Sequence, residues 1–169
     1  MLSVVFSSYK TEKNLCNSVY RLYAMVEYPL RSLYDEVKDR RKTTQFFGEG
    51  ELWSVLFSCL MGLKHLSLCG FRHESLSSNN IFIDKTGLIK ISDPAVLRHA
   101  DNLSSLNSHS NEQHIYVSPE QLKSLLKEKC YGYSSLVSDV FTIGMIMLEC
   151  IHLEWMDEIY ERRSIDYER

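Results

Sequence analysis

Two oxygen-bearing side chains, Asn80 and Asp93, bracket the run IFIDKTGLIKIS. Apolar β-formers flank DKTG, so the run predicts a tight hairpin. Asn80 directly precedes the first strand and Asp93 follows the second, which puts both at the hairpin's open end. Facing residues of antiparallel strands lie about 5 Å apart, and two oxygens converging at that distance are what a magnesium ion requires. The same side chains can instead cap the hairpin and the adjoining loop by hydrogen bonds to backbone. Capping is the expected role, because phosphate-binding parts are missing: Gly48-Glu49-Gly50 precedes a helical pattern and does not join two strands.

Other groups offer less chemistry. His99, His109 and His114 lie near Asp101 in a polar stretch, at spacings that fit no helical or closed zinc pattern. Five cysteines, Cys16, Cys59, Cys69, Cys130 and Cys150, form no CxxC pair. Reduced thiols are therefore expected, and with them a reducing compartment, the cytoplasm. A formal charge of -3 gives no basic surface for nucleic acid. The longest apolar stretch, around Val140 to Ile151, is far short of the ~20 residues that span a bilayer, so no membrane partner is expected.

The elements that must position these residues follow from local pattern. With 169 residues, 44% hydrophobic and 24% charged, the chain suits one compact domain. Ser3–Phe6 and Tyr20–Tyr28 read as strands separated by the polar SSYKTEKN, with Pro29 ending the second. Ser32 caps a short helix with Asp35 and Glu36 in its first turns. Arg40-Arg41-Lys42 is its solvated end. Leu52, Leu56, Cys59, Leu63 and Leu66 make one apolar helical stripe, widened by Val55 and Leu60, and Gly70 ends that helix. A polar loop runs from Pro94 to Tyr116, and Ser118-Pro119-Glu120 opens another helix. Residues Ser138–Ile151 are apolar on nearly every side, as in a helix buried at a domain centre, and the charged tail from Glu154 is expected to be helical.

From about Tyr20 to Ile151, the order of these pieces resembles that of a protein kinase. AMVEYPLRSLYDEV resembles the last strand of the small lobe, the hinge and the first helix of the large lobe. HESLSSNNIFID stands where the family has its HRD loop and ISDPAV where it has DFG. VSPEQL matches the APE segment and SDVFTIGMIMLEC the central buried helix. The resemblance implies an α+β, mainly α fold. Residues 1–30 would be remnant small-lobe strands and hinge, and 31–169 an incomplete large lobe.

The resemblance also assigns positions. Val26 would be the gatekeeper, the backbone from Glu27 through Tyr28 to Pro29 would face adenine, and Phe82 would floor that pocket. Asn80 and Asp93 match the metal-binding pair. His73, Glu120 and Asp139 match framework positions, and Glu120 would need an arginine partner from Arg162, Arg163, Arg169 or another chain. Departures cluster where phosphate is transferred. Ser75 stands at the catalytic base, where the family has an aspartate that takes the substrate's proton. A neutral serine hydroxyl does not replace that carboxylate. Ser77 stands at the loop lysine, and Glu74 replaces an arginine. Pro94-Ala95 replaces Phe-Gly and favours a frozen loop.

No catalytic residue and no required cofactor is therefore expected, Mg-ATP being at most a vestigial ligand. The implied function is a catalytically inactive, kinase-like scaffold that presents apolar surface to another protein or a large assembly. The alternative is a degenerate serine/threonine kinase or ATP-binding module completed by other segments.

Overall fold

Ser32 begins the first helix by the means its sequence suggests: its hydroxyl accepts from the Asp35 N–H at 3.1 Å and donates to the Asp35 carboxylate at 2.6 Å. The computed structural model describes residues 4–13, 18–27, 30–73, 75–92, 116–126, 135–156, 160–161 and 164–165. In chain order its elements are strands β1 (Val4–Lys13), β2 (Ser18–Val26) and β3 (Arg31–Ser32), then helices α1 (Leu33–Thr43) and α2 (Glu49–Leu68). A 3-10 turn (Ser78–Asn80) leads into β4 (Ile81–Ile83) and β5 (Ile89–Ile91). Helices α3 (Pro119–Leu126) and α4 (Ser135–His152) follow, then β6 (Tyr160–Glu161) and β7 (Ser164–Ile165). The fold is α+β and mainly α.

β1 and β2 pair antiparallel along most of their length, from Phe6 opposite Met25 to Lys13 opposite Ser18. The polar SSYKTEK, expected to connect two short strands, is itself strand. The unbroken register from Phe6 to Lys13 explains this: the ladder to the strand opposite holds a segment whose own composition is polar.

The core lies between α2, α4 and the small sheet β3-β4-β5. Val55, Cys59, Leu63 and Leu66 of α2 are buried, as are Ile143, Met145, Ile146 and Cys150 of α4. Cys59, Cys69 and Cys150 are free thiols, and burial pushes those of Cys59 and Cys150 up to about 12. Gly62 allows α2 to lie close on β5, since a Cβ there would sit 2.8 Å from Ile91 Cδ1. At the end of α2, Cys69 caps and Gly70 takes φ +78°, as the sequence suggests for a helix stop.

Four expectations need correction. Leu60 does not widen the buried stripe but is exposed, because it lies about 100° around α2 from Cys59. α4 is not buried on every side: Val137, Val140, Leu148 and Ile151 are exposed along one face. An apolar periodicity tells which residues could be covered, not whether a neighbour covers them. Arg40 is no solvated helix end. Its guanidinium bonds Glu36 at 2.7 Å and Glu51 at 2.6 Å and lies 4.1 Å from the centre of the Phe47 ring. The described part of the tail is not helical either. Leu153 turns the chain out of α4 with φ 55°, Trp155 stacks on Tyr34 at 4.8 Å, and Tyr160 then pairs with Ile165.

Candidate functional site

The site is the loop between α2 and β4, held by contacts distant in sequence. His73 is fully buried. Its backbone N–H donates to Asp139 Oδ2 on α4 at 3.2 Å, and its ring Nε2 donates to the Ser92 carbonyl at 2.8 Å. One residue therefore ties the start of the loop to the central helix and to the end of β5. Polar atoms in this interior are costly to leave unpaired, which is the physical reason for an aspartate in the first turns of an otherwise apolar helix.

Asn80 closes the other end of the loop. Its side-chain nitrogen donates to the Ser75 carbonyl at 2.7 Å, and its side-chain oxygen accepts from the Ser77 N–H at 2.9 Å. Its backbone carbonyl accepts from the Ser92 N–H at 2.9 Å, which continues the β4–β5 ladder by one pair. Asn80, Ser77 and Ser78 are buried, and Ser75 is half-buried. A carbonyl oxygen has two lone pairs, so the Asn80 oxygen can serve the Ser77 N–H and a cation together. Asp93, the other half of the expected pair, lies outside the described residues, as do Glu74, Pro94, Ala95 and the histidines at 99, 109 and 114.

The segment expected to face adenine runs beside the small sheet. Val26 ends β2, and Tyr28 and Pro29 lie outside the described residues. Leu30 N–H donates to the Ile83 carbonyl at 3.2 Å, while Phe82, half-buried on β4, stands opposite both Ser32 and Lys90. Lys90 reaches Glu27 Oε2 at 2.8 Å and Asp84 at 3.4 Å. The Glu27 carboxylate holds the lysine's pKa above its ordinary value. The structure thus brings the Glu27 segment and the strand carrying Phe82 together through an ion pair that no local pattern announces.

Beyond the loop, Ser118 is buried and caps α3, its hydroxyl accepting from Gln121 N–H at 3.2 Å and from the Ser138 hydroxyl at 2.9 Å. Glu120 is exposed in the first turn of α3, and Arg162, Arg163 and Arg169 lie outside the described side chains. Tyr116 donates its hydroxyl to the buried Glu149 and accepts from Met156 N–H at 3.1 Å, while its carbonyl accepts from Thr142. The signal for this anchor was an acid, Glu149, interrupting the apolar run after Asp139. Among the described residues no His, Cys, Asp and Glu side chains cluster as a metal site would need. Among the same residues no helix is long and apolar enough to cross a membrane.

Comparison with known proteins gives the same frame. The family model for the protein kinase domain matches residues 10–162. The chain is 28% identical over 158 residues to cyclin-dependent kinase 11.2 of Caenorhabditis elegans, covering 90% of this chain and 21% of that protein. It is 34% identical over 106 residues to the membrane-associated tyrosine- and threonine-specific cdc2-inhibitory kinase wee-1.1 of the same organism, covering 61% of this chain and 22% of the relative. The chain thus spans about a fifth of the length of these curated relatives.

Proposed function

This chain belongs to the protein kinase domain family, and within it we propose a member that serves in binding other proteins and does not transfer phosphate. The observation that carries this reading is the state of the loop. Where a kinase presents a carboxylate to the substrate hydroxyl, this chain has Ser75, whose hydroxyl cannot act as the base. Where it has a lysine for the transferring phosphate, this chain has Ser77. The Asn80 side chain uses both of its polar atoms on the backbone of these same two residues. In this reading residues 1–30 contribute small-lobe strands and hinge, and 31–169 belong to the large lobe. The free thiols Cys59, Cys69 and Cys150 suit a cytoplasmic setting.

A second reading is an ATP-binding module, or a degenerate serine/threonine kinase completed by other segments. It is favoured by the retained Asn80 and Phe82 and by relatives that are named as kinases. In that case magnesium would draw on the oxygens of Asn80 and Asp93, and the bound nucleotide would lie along Glu27, Tyr28 and Phe82. Magnesium takes oxygen ligands in near-octahedral geometry, and the Asn80 oxygen would offer it the lone pair that does not face the Ser77 N–H.

Incubation of the purified chain with Mg-ATP and a mixed peptide substrate separates the two. The proposal expects no transfer to substrate or to the chain itself, and none after Asn80→Ala. Transfer that is lost in Asn80→Ala would establish the second reading.

A further inference from the structure

Lys90 stands between two carboxylates. Its Nζ lies 2.8 Å from Glu27 Oε2 and 3.4 Å from Asp84 Oδ2. The two acids belong to different parts of the chain. Glu27 directly follows β2, at the root of the β1–β2 arm, and is 63 residues from Lys90 in sequence. Asp84 opens the turn between β4 and β5, the strand that carries Lys90. Its two oxygens have separate tasks. Oδ1 builds the turn, accepting from the Thr86 N–H at 2.7 Å, the Thr86 hydroxyl at 2.6 Å and the Leu88 N–H at 3.0 Å. Oδ2 takes no part in those three bonds and lies toward the lysine.

An ammonium deprived of its partner in a shielded place is costly, because water does not fully replace the lost charge. The side chains of Lys90, Glu27 and Asp84 are 23%, 31% and 20% exposed, so that cost applies here. The second carboxylate removes most of it. We propose that Glu27, Lys90 and Asp84 form a two-position latch on the β1–β2 arm. Closed, Lys90 clips the root of the arm to β5. Open, the lysine falls back on Asp84 Oδ2, Glu27 goes to water, and the arm swings from the segment beyond it. The turn survives the opening, since Oδ1 keeps its three bonds. Main-chain ties lie just past the latch: Leu30 N–H donates to the Ile83 carbonyl at 3.2 Å, and Arg31 pairs with Ile83. The latch stands apart from the proposed function, and neither depends on the other.

Hydrogen exchange at the Leu30 amide of the full chain reads the opening. Lys90→Met and Glu27→Gln should each speed it about threefold to tenfold, as loss of a partly shielded charge pair allows. Asp84→Asn should act in the opposite direction. Its side-chain oxygen can still accept the turn's bonds, while an NH2 group replaces the oxygen that receives the lysine. Lys90 then has nowhere to fall back, and Leu30 exchange should slow. The amide of residue 84, which donates to the Leu88 carbonyl at 2.9 Å, reports the turn and should exchange as before. In a Glu27→Gln background, Asp84→Asn should leave Leu30 exchange unaltered, because the latch is already open. Faster Leu30 exchange in Asp84→Asn overturns the proposal, since it makes the three residues one fixed cluster. Leu30 exchange indifferent to Lys90→Met overturns it as well.

Discussion

Asn80 holds the main-chain carbonyl of Ser75 at 2.7 Å through its side-chain nitrogen, so the residue matching a kinase's metal ligand is bonded to the residue at the catalytic-base position. The Asn80 oxygen is used as well, on the Ser77 N–H. Both bonds are short-range in sequence and close one turn of backbone. Asn80→Ala should therefore lower stability by about 2 kcal/mol, the cost of leaving a buried donor and acceptor unpaired. Denaturant unfolding should give the same difference with magnesium as with a chelator. A loss that appears only with magnesium would point to a metal ligand.

The buried pair of Tyr116 and Glu149 joins the segment before α3 to the centre of α4, and Met156 N–H closes the group. Tyr116→Phe removes a hydrogen bond to a buried carboxylic group and one acceptor, and should cost about 2 kcal/mol. Tyr116→Leu should cost more, since ring packing goes too. Thermal unfolding of the two variants checks the order.

Arg40 holds α1 to the start of α2 through Glu36, Glu51 and the Phe47 ring. Arg40→Ala should cost about 1–2 kcal/mol, part of it packing, with solvent weakening the half-exposed Glu51 pair. Arg40→Lys should not recover the loss, because a lysine cannot serve both carboxylates in one plane and lie flat on the ring. Urea midpoints of the three proteins give the comparison.

Asp84 accepts from the Thr86 hydroxyl, from the Thr86 and Leu88 N–H groups and from Lys90, and these bonds hold its carboxyl down at about 2, the Thr86 hydroxyl contributing most. A carboxyl lowered on folding stabilises above its unfolded value of 3.8, and that contribution fades as pH falls toward about 2. Asp84→Asn should therefore lower the melting temperature at pH 7, with the difference shrinking between pH 4 and pH 2. A difference that stayed constant across that range would assign the effect to hydrogen-bond geometry alone.

Thr44 ends α1 in the left-handed region at φ 54°, where a β-branched residue is strained. Thr44→Gly should raise stability by about 1 kcal/mol, read as a higher melting temperature.

The parts of this fold that were legible in sequence are those in which a side chain bonds its own backbone or repeats with a helical period. Ser32 and Ser118 cap the helices that follow them, and Cys59, Leu63 and Leu66 line one buried stripe. Partners far apart in the chain were not legible. Lys90 with Glu27, Tyr116 with Glu149 and Arg40 with Glu51 are charged or polar pairs, and composition alone marks such residues as surface. The polar β1 was misjudged for a related reason, since its pairing depends on the strand opposite. Coverage was the other blind spot: Leu60, Val140 and Ile151 are as apolar as their buried neighbours, and only the packing shows that they face outward. At the site, motif order singled out His73, Asn80 and Asp139, whereas the turning of both Asn80 atoms onto the loop needed coordinates.

Thermal unfolding of the purified chain with ATP, with magnesium, and with both tests the central claim most directly. A ligand that binds the folded state raises the melting temperature by mass action. In the account, the loop serves to hold the fold and the chain to bind proteins, so the same melting temperature is predicted in all conditions. A rise that requires ATP and magnesium together, and disappears in Asn80→Ala, would contradict it.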